Sequence, residues 1–236
     1  CQVLGMRVLL NDPPRQEIEN SDEFVDLATI QREADIITFH TPLTKTGEHP
    51  TYHLADDTFF NCLSKKPIII NSSRGAVVSN EALKSALRKG EVMGAIIDTW
   101  ENEPNIDLQL LRLVDIATPH IAGYSADGKW NATKMSLETI NKFFKLNKDP
   151  IELLPIVEPD KTVINLSQYS NEEQLAKALL YSYDPCEDSA SLKESPNKFY
   201  YFRSHYPLRR EYKAYTIENA NKKTAVLVKE LGFDIK

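Results

Sequence analysis

The chain has 236 residues, 42% of them hydrophobic and 26% charged, a balance typical of a soluble globular protein with one large domain or two modest ones. Its 28 Lys and Arg against 34 Asp and Glu leave a formal net charge of −6, which argues against nucleic acid or an anionic membrane surface as the main partner. No apolar run approaches the roughly 20 residues needed to cross a bilayer.

The start lacks the basic and apolar regions of a signal peptide. Cys1, Cys62 and Cys186 are odd in number and show no CxxC or His-adjacent spacing, so neither a disulfide framework nor a metal site is expected. A reducing compartment, the cytoplasm, fits this usage. Cys62, in DDTFFNCL, is expected to be a small buried hydrophobe. The first residue is Cys rather than Met, and the opening reads as starting within an element of a longer chain.

Cys1–Gly5 reads as a helix tail stopped by Gly5. Met6–Asp12 is a short apolar run ending in an acid, expected to be a strand, and Pro13-Pro14 cannot continue its ladder. An acid at such a strand end can accept bonds from both ribose hydroxyls of a dinucleotide and would repel a 2′-phosphate. It can equally be a turn-forming Asp before Pro. Ser21–Ala34 fits an amphipathic helix begun by Ser21 or Asp22. Asp35–Pro42 is β-rich and ends at Thr41, which can touch a cofactor through its hydroxyl or backbone. His40, His49 and His53 read as structural or solvated.

Leu54–Leu63 is expected to be a short helix, and Pro67–Asn71 a strand. Ser79-Asn80 caps a helix stopped by Gly90. Val92–Trp100 is the next strand, Leu108–Val114 a helix, and Asp115–Pro119 a further strand. The alternation predicts an α/β fold with a doubly wound parallel sheet. Ser125–Leu146 is a long helical pattern broken by Asp149-Pro150. We therefore expect two domains, residues 1–150 and a small α+β domain of residues 151–236. In the latter, Lys161–Ser167 is strand-like and Ser170–Glu173 is a capping box opening a helix. Tyr183–Ser195 reads as a loop, Tyr215–Ile217 as a short strand, and Asn221–Leu231 as a closing helix.

Three strand ends carry polar clusters: Asn71-Ser72-Ser73-Arg74-Gly75, Asp98-Thr99-Trp100-Glu101-Asn102-Glu103-Pro104, and Pro119-His120-Ile121-Ala122-Gly123-Tyr124. In an open parallel sheet, ligands sit beyond the carboxyl ends of the strands. Arg74 can fork onto a carboxylate, and Gly75 allows close backbone approach. His120 can take and return a proton near neutral pH. A carboxylate beside it would favour the imidazolium and fix its tautomer. Glu103 and Glu101 compete for that place.

In this order, NSSRG, DTWENEP and PHIAG resemble the D-isomer-specific 2-hydroxyacid dehydrogenase family over roughly residues 1–147. The resemblance implies a Rossmann-like domain that binds NAD. It implies a catalytic set of Arg74, Glu103 and His120, with Asp12 on the ribose and Thr41, Ser72, Ser73, Asp98 and Gly123 lining the NAD site. His120 would act as base, Glu103 as its partner, and Arg74 would hold the substrate's carboxylate and C2 oxygen. The family's glycine-rich turn and N-terminal substrate-binding segment would lie before Cys1.

Within the family, HIAGY and the tail resemble a branch of vitamin B6 biosynthesis that oxidises a small phosphorylated hydroxy acid. There Tyr124 would contact substrate and the tail would be a dimerisation domain, giving a homodimer. Arg203, Arg209 and Arg210 can reach a phosphate or be ordinary surface charge. The alternatives are another dehydrogenase of the family, such as one using 3-phosphoglycerate, and a non-enzymatic NAD-sensing corepressor-like protein.

Overall fold

The computed structural model describes residues 1–146 and 155–236. The domain boundary expected at residues 150–151 lies outside the described residues. Two compact units are present. One combines Arg7–Ala122 with Pro185–His205; the other combines Cys1–Met6, Gly123–Asp184 and Tyr206–Lys236. Pro185–His205, expected as part of the C-terminal domain, thus packs with the N-terminal unit.

The first unit is built on a parallel sheet of β1 (Ile36–Phe39), β2 (Ile68–Asn71), β3 (Gly94–Ile97) and β4 (Ile116–Ala117), in that spatial order. Their Ile- and Ala-rich sequences suit strands covered by other elements, as parallel sheets are. Ile37, Ile69, Ala95, Ile97 and Ala117 are buried. The register pairs Asn71 with Ile97, and Ile97 with Ala117. Three strands therefore end at one level, and the loops bearing Arg74, Glu103 and His120 leave from that edge.

The α-helices between Pro13 and Leu113 each start on a side-chain cap, which satisfies amide N–H groups that have no partner inside the helix. Asp12 caps α1 (Pro13–Glu19), with Pro13 and Pro14 in the first turn, where a missing N–H costs nothing. Asp26 caps α2 (Leu27–Glu33), Asp56 caps α3 (Asp57–Asn61), Ser79 caps α4 (Asn80–Lys89) and Asp107 caps α5 (Leu108–Leu113). Gly90 closes α4 at φ 68°, a conformation that glycine adopts without a Cβ clash.

Several local expectations change. The run Met6–Asp12 is not a strand: Leu10 bridges Phe24, and no longer ladder forms there among the described residues. Phe24 is extended and buried, so the helix begins at Leu27 and not at Ser21 or Asp22. Cys62 is exposed, just beyond α3; Phe59 and Phe60 supply that turn's buried face. Tyr183–Ser195 is not a loop but holds α8 (Pro185–Glu194). That helix is mostly polar, but its buried Leu192 joins the first unit's core. Ala117 N–H donates to Ser189 Oγ at 3.0 Å, and Lys193 Nζ donates to the carbonyls of Val114 and Asp115 at 2.6 and 3.0 Å.

The second unit contains the long α6 (Ala126–Phe144), α7 (Gln174–Ser182) and α10 (Lys222–Glu230). Its small parallel sheet runs β5 (Val163–Asn165), β6 (Thr216–Glu218), β7 (Asp234–Ile235). The strand β7 is too short to leave a sequence pattern. Helix α9 (Phe199–Ser204) belongs to the first unit. No helix of the described residues is long and apolar enough to cross a membrane.

A buried ion pair ties the start of α6 to the segment after Pro207. Asp127 is fully buried. Its carboxylate accepts from Arg210 Nε at 3.0 Å and from the Glu211 N–H at 2.8 Å, with Lys213 Nζ at 3.3 Å. Burial alone would push this carboxyl up; the bonds from Arg210, Glu211 and Lys213 outweigh it and hold the group below the usual carboxylate range. A lowered folded value means stabilisation that is complete above the unfolded value of about 3.9 and lost as pH falls below it. Urea unfolding followed against pH should show this loss. Asp127→Asn should remove that acid-side component and cost about 3–5 kcal/mol at neutral pH, as expected when one partner of a buried pair is removed.

Candidate active site

The loop after β4 is shaped by one carboxylate. Asp98, buried at the end of β3, accepts from the Thr118 hydroxyl at 2.6 Å and the Ile121 N–H at 2.7 Å on Oδ1. Its Oδ2 accepts the Ala122 N–H at 3.1 Å. Its carbonyl accepts the His120 N–H at 2.8 Å. Enclosed by these bonds, His120 adopts φ 59°, a left-handed conformation uncommon outside glycine and held only where neighbours determine it.

The side chain of His120 meets Glu103. Its Nδ1 lies 2.8 Å from Glu103 Oε2, and Glu103 Oε1 accepts the Trp100 N–H at 2.8 Å. A carboxylate only accepts, so Nδ1 carries the proton, and in the neutral form of the ring the lone pair is on Nε2. Nε2 makes no hydrogen bond among the described residues. The competition between the two acids is thereby decided by geometry. Glu101 Oε1 instead accepts the Asn80 N–H at 2.9 Å and pairs with His53 Nε2 at 3.1 Å.

Arg74 follows β2. Buried Asn71 organises its turn: Nδ2 donates to the Arg74 carbonyl at 3.0 Å, while Oδ1 accepts from the Ser73 hydroxyl at 2.9 Å. The exposed Arg74 guanidinium donates to the Ser73 carbonyl at 2.7 Å and forms no ion pair among the described residues. Its remaining donors are open to an anion. Gly75 lies so close to the next loop that a Cβ would stand 2.0 Å from the Trp100 carbonyl. The Arg74 and Glu103 loops therefore touch backbone to backbone.

The family model described as "D-isomer specific 2-hydroxyacid dehydrogenase, NAD binding domain" matches residues 1–122. The chain belongs to this family. A second model, described as a domain of unknown function (DUF3410), matches residues 153–232. The chain is 51% identical over 214 residues to an erythronate-4-phosphate dehydrogenase of Bacteroides fragilis, covering 91% of this chain and 59% of that protein. It is 51% identical to the enzyme of that name from Bacteroides thetaiotaomicron, covering 92% and 60%, and 43% identical to that from Porphyromonas gingivalis, covering 97% and 62%. The chain thus spans about three fifths of the length of these relatives. Among solved structures, a D-lactate dehydrogenase from Aquifex aeolicus, complexed with NAD and lactic acid, is 26% identical with a TM-score of 0.49 over 61% of this chain and 47% of that one.

The residues assigned to NAD by resemblance fall in different settings. Thr41, after β1, has a buried hydroxyl without a partner among the described residues, which fits a group that meets its partner in a bound ligand. Thr99 is the same in this respect, and the sequence did not single it out. Asp12 uses Oδ1 to cap α1 through the Arg15 N–H at 3.1 Å, so its turn-forming role is real and Oδ2 is left over. Ser72 is half-buried and Ser73 buried. Asp98 is taken up by its own loop.

Gly123 and Tyr124 lie in the second unit. A Cβ on Gly123 would meet nothing within 4 Å. Lys129 Nζ stands 3.9 Å over the Tyr124 ring, which also meets Tyr206 edge-to-face. Of the three arginines considered for phosphate, Arg210 is committed to Asp127 and Glu158. Arg209 stacks over Tyr183, and Arg203 sits in α9 of the first unit.

The Gly75 contact makes a direct test. Gly75→Ala should cost about 1–3 kcal/mol, the range for overpacking a closed site. Chemical denaturation should report it as a lower midpoint with an unchanged slope.

Proposed function

We propose that this protein oxidises 4-phospho-D-erythronate at C2 to the corresponding 2-oxo acid, using NAD, as one step of vitamin B6 synthesis. The observation that carries the chemistry is the 2.8 Å pair of His120 Nδ1 with Glu103, which leaves Nε2 as a proton acceptor. The names of the relatives, at up to 51% identity, support the substrate.

Arg74 binds the substrate's carboxylate and C2 oxygen through the donors not used on Ser73. His120 Nε2 takes the C2 hydroxyl proton as the C2–H bond breaks. Glu103 stabilises the imidazolium so formed and keeps the ring's orientation, since the developing charge stays beside an anion. NAD, when bound, would supply the acceptor for the hydride leaving C2. Thr41, Ser72 and Ser73 would line the site of that cofactor, with Asp12 Oδ2 on the ribose and Tyr124 on the substrate. Gly123 and Asp98 complete it, Asp98 through the loop it holds.

The protein acts as a homodimer in the cytoplasm. Exposed Leu180, Tyr181 and Val226 in the second unit support an apolar interface there, and exposed Cys1 and Cys62 support a reducing compartment.

Protein expressed from its complete gene should form NADH, read by absorbance, with 4-phospho-D-erythronate and not with 3-phosphoglycerate or lactate. Turnover of another acid instead would overturn the substrate. His120→Ala should lower turnover by about 10²- to 10⁴-fold, the usual weight of a general base, while NAD binding by calorimetry is retained. Asp12→Ala should lower the ratio of kcat/KM for NAD over NADP; an unaltered ratio removes Asp12 from the ribose.

A further inference from the structure

His53 is a second imidazole bound to a carboxylate, and neither the expected chemistry nor the NAD site uses it. Its Nε2 lies 3.1 Å from Glu101 Oε1. The same oxygen accepts the Asn80 N–H at 2.9 Å. The backbone N–H of His53 donates to the Ala76 carbonyl at 2.7 Å. Two residues on, Ala55 bridges Val78 and bonds the Val77 carbonyl at 3.1 Å. The His53 ring stacks on Tyr52 at 4.0 Å, and Lys45 covers the far ring at 5.1 Å. His53 itself has φ 52°.

Three loops meet through this residue. Its own loop runs from Thr41 and is closed by Thr44 and Thr51, whose N–H groups donate to each other's hydroxyls at 2.8 and 3.2 Å. Its backbone is fastened to the turn that follows Arg74 and Gly75. Its side chain is fastened to Glu101, two residues before Glu103. Those last two loops also meet where the Asn80 N–H donates to Glu101, where the Asp98 and Thr99 N–H groups donate to the Asn71 carbonyl at 2.9 and 3.3 Å, and where Gly75 presses on Trp100. The Gly75 contact limits approach but sets no direction, and the bonds to Asn71 hold the backbone before Trp100, so past Trp100 the loop is held through Glu101 by the Asn80 N–H and His53. A hydrogen bond to an ionised group does set a direction.

We infer that His53 is a positioning residue: by holding Glu101 it fixes the Trp100–Glu103 loop against the Arg74 turn, and so aims Glu103 at His120. It touches no reacting atom. This inference rests on the proposed dehydrogenase reading for its consequence in turnover, though not for the coupling itself.

Two readouts on protein expressed from its complete gene separate these levels. His53→Phe keeps a ring to stack on Tyr52 and removes the hydrogen bond; His53→Gln keeps a donor for Glu101. Hydrogen exchange by mass spectrometry should show the peptide across Thr99–Glu103 exchanging faster in His53→Phe, with the β2 peptide unchanged and His53→Gln restored. The kcat for the phosphorylated acid should fall about tenfold, the order of one lost hydrogen bond, with KM for NAD unchanged and rescue by Gln. Unchanged exchange at Thr99–Glu103, equal acceleration throughout the chain, or no rescue by Gln would overturn the inference. Absent turnover in the unsubstituted protein would overturn the functional reading alone, leaving the exchange result to decide the role of His53.

Discussion

The architecture of the site depends on the buried carboxylate of Asp98. Hydrogen bonds to an ionised acceptor are roughly twice as strong as neutral ones, and Asp98 makes three of them within one five-residue turn. A buried charge without such partners would be costly, so the turn and the charge require each other. The result is a backbone that holds His120 at a positive φ, with Nδ1 against Glu103. Replacing Asp98 by an apolar residue would leave two amides without acceptors and His120 without its conformation.

The segment Asp98–Glu103 carries three acids with three separate tasks. Asp98 shapes the next loop, Glu101 caps the start of α4 and holds His53, and Glu103 faces the imidazole. Placing them on one short stretch solves a geometric problem. Each points at a different neighbour, because the chain turns sharply between them, with Asn102 at φ 61° and Gly75 pressed against Trp100. Trp100 adds a fourth restraint, its indole N–H donating to the Thr118 carbonyl at 3.0 Å. These bonds place the side chains without a ligand, and prior placement is the condition for aligned donors to stabilise developing charge.

The strand ends and their polar clusters were legible in the sequence because parallel strands have a strong signature: short Ile- and Ala-rich runs between capped helices. The common edge that carries Arg74, Glu103 and His120 followed from them, since parallel strands must end on the same side. What stayed hidden rests on contacts that no local pattern encodes. Glu101 and Glu103 are the same residue type two positions apart, and only the fold separates a helix cap from the partner of His120. His53 sits in a polar turn and looks solvated until Glu101 is seen beside it. The helix α8 is small and polar, with buried Ser189 and Leu192 as its contacts, too few to make a periodic stripe. Asp12 can serve the ribose and the helix cap at once, so neither reading of the sequence excludes the other.

Helix α8 also bears on why the tail residues matter to the site. The strand β4 has two residues and pairs on one side with β3, so its free edge has amides to satisfy. Ser189 takes the Ala117 N–H, and Lys193 takes the carbonyls of Val114 and Asp115. Those bonds fix the strand whose next residues are Thr118, Pro119 and His120. A segment some 70 residues later in the chain thus completes the edge from which His120 departs. The sheet and α8 are for this reason one packing problem, and the first unit is not closed by residues 7–122 alone.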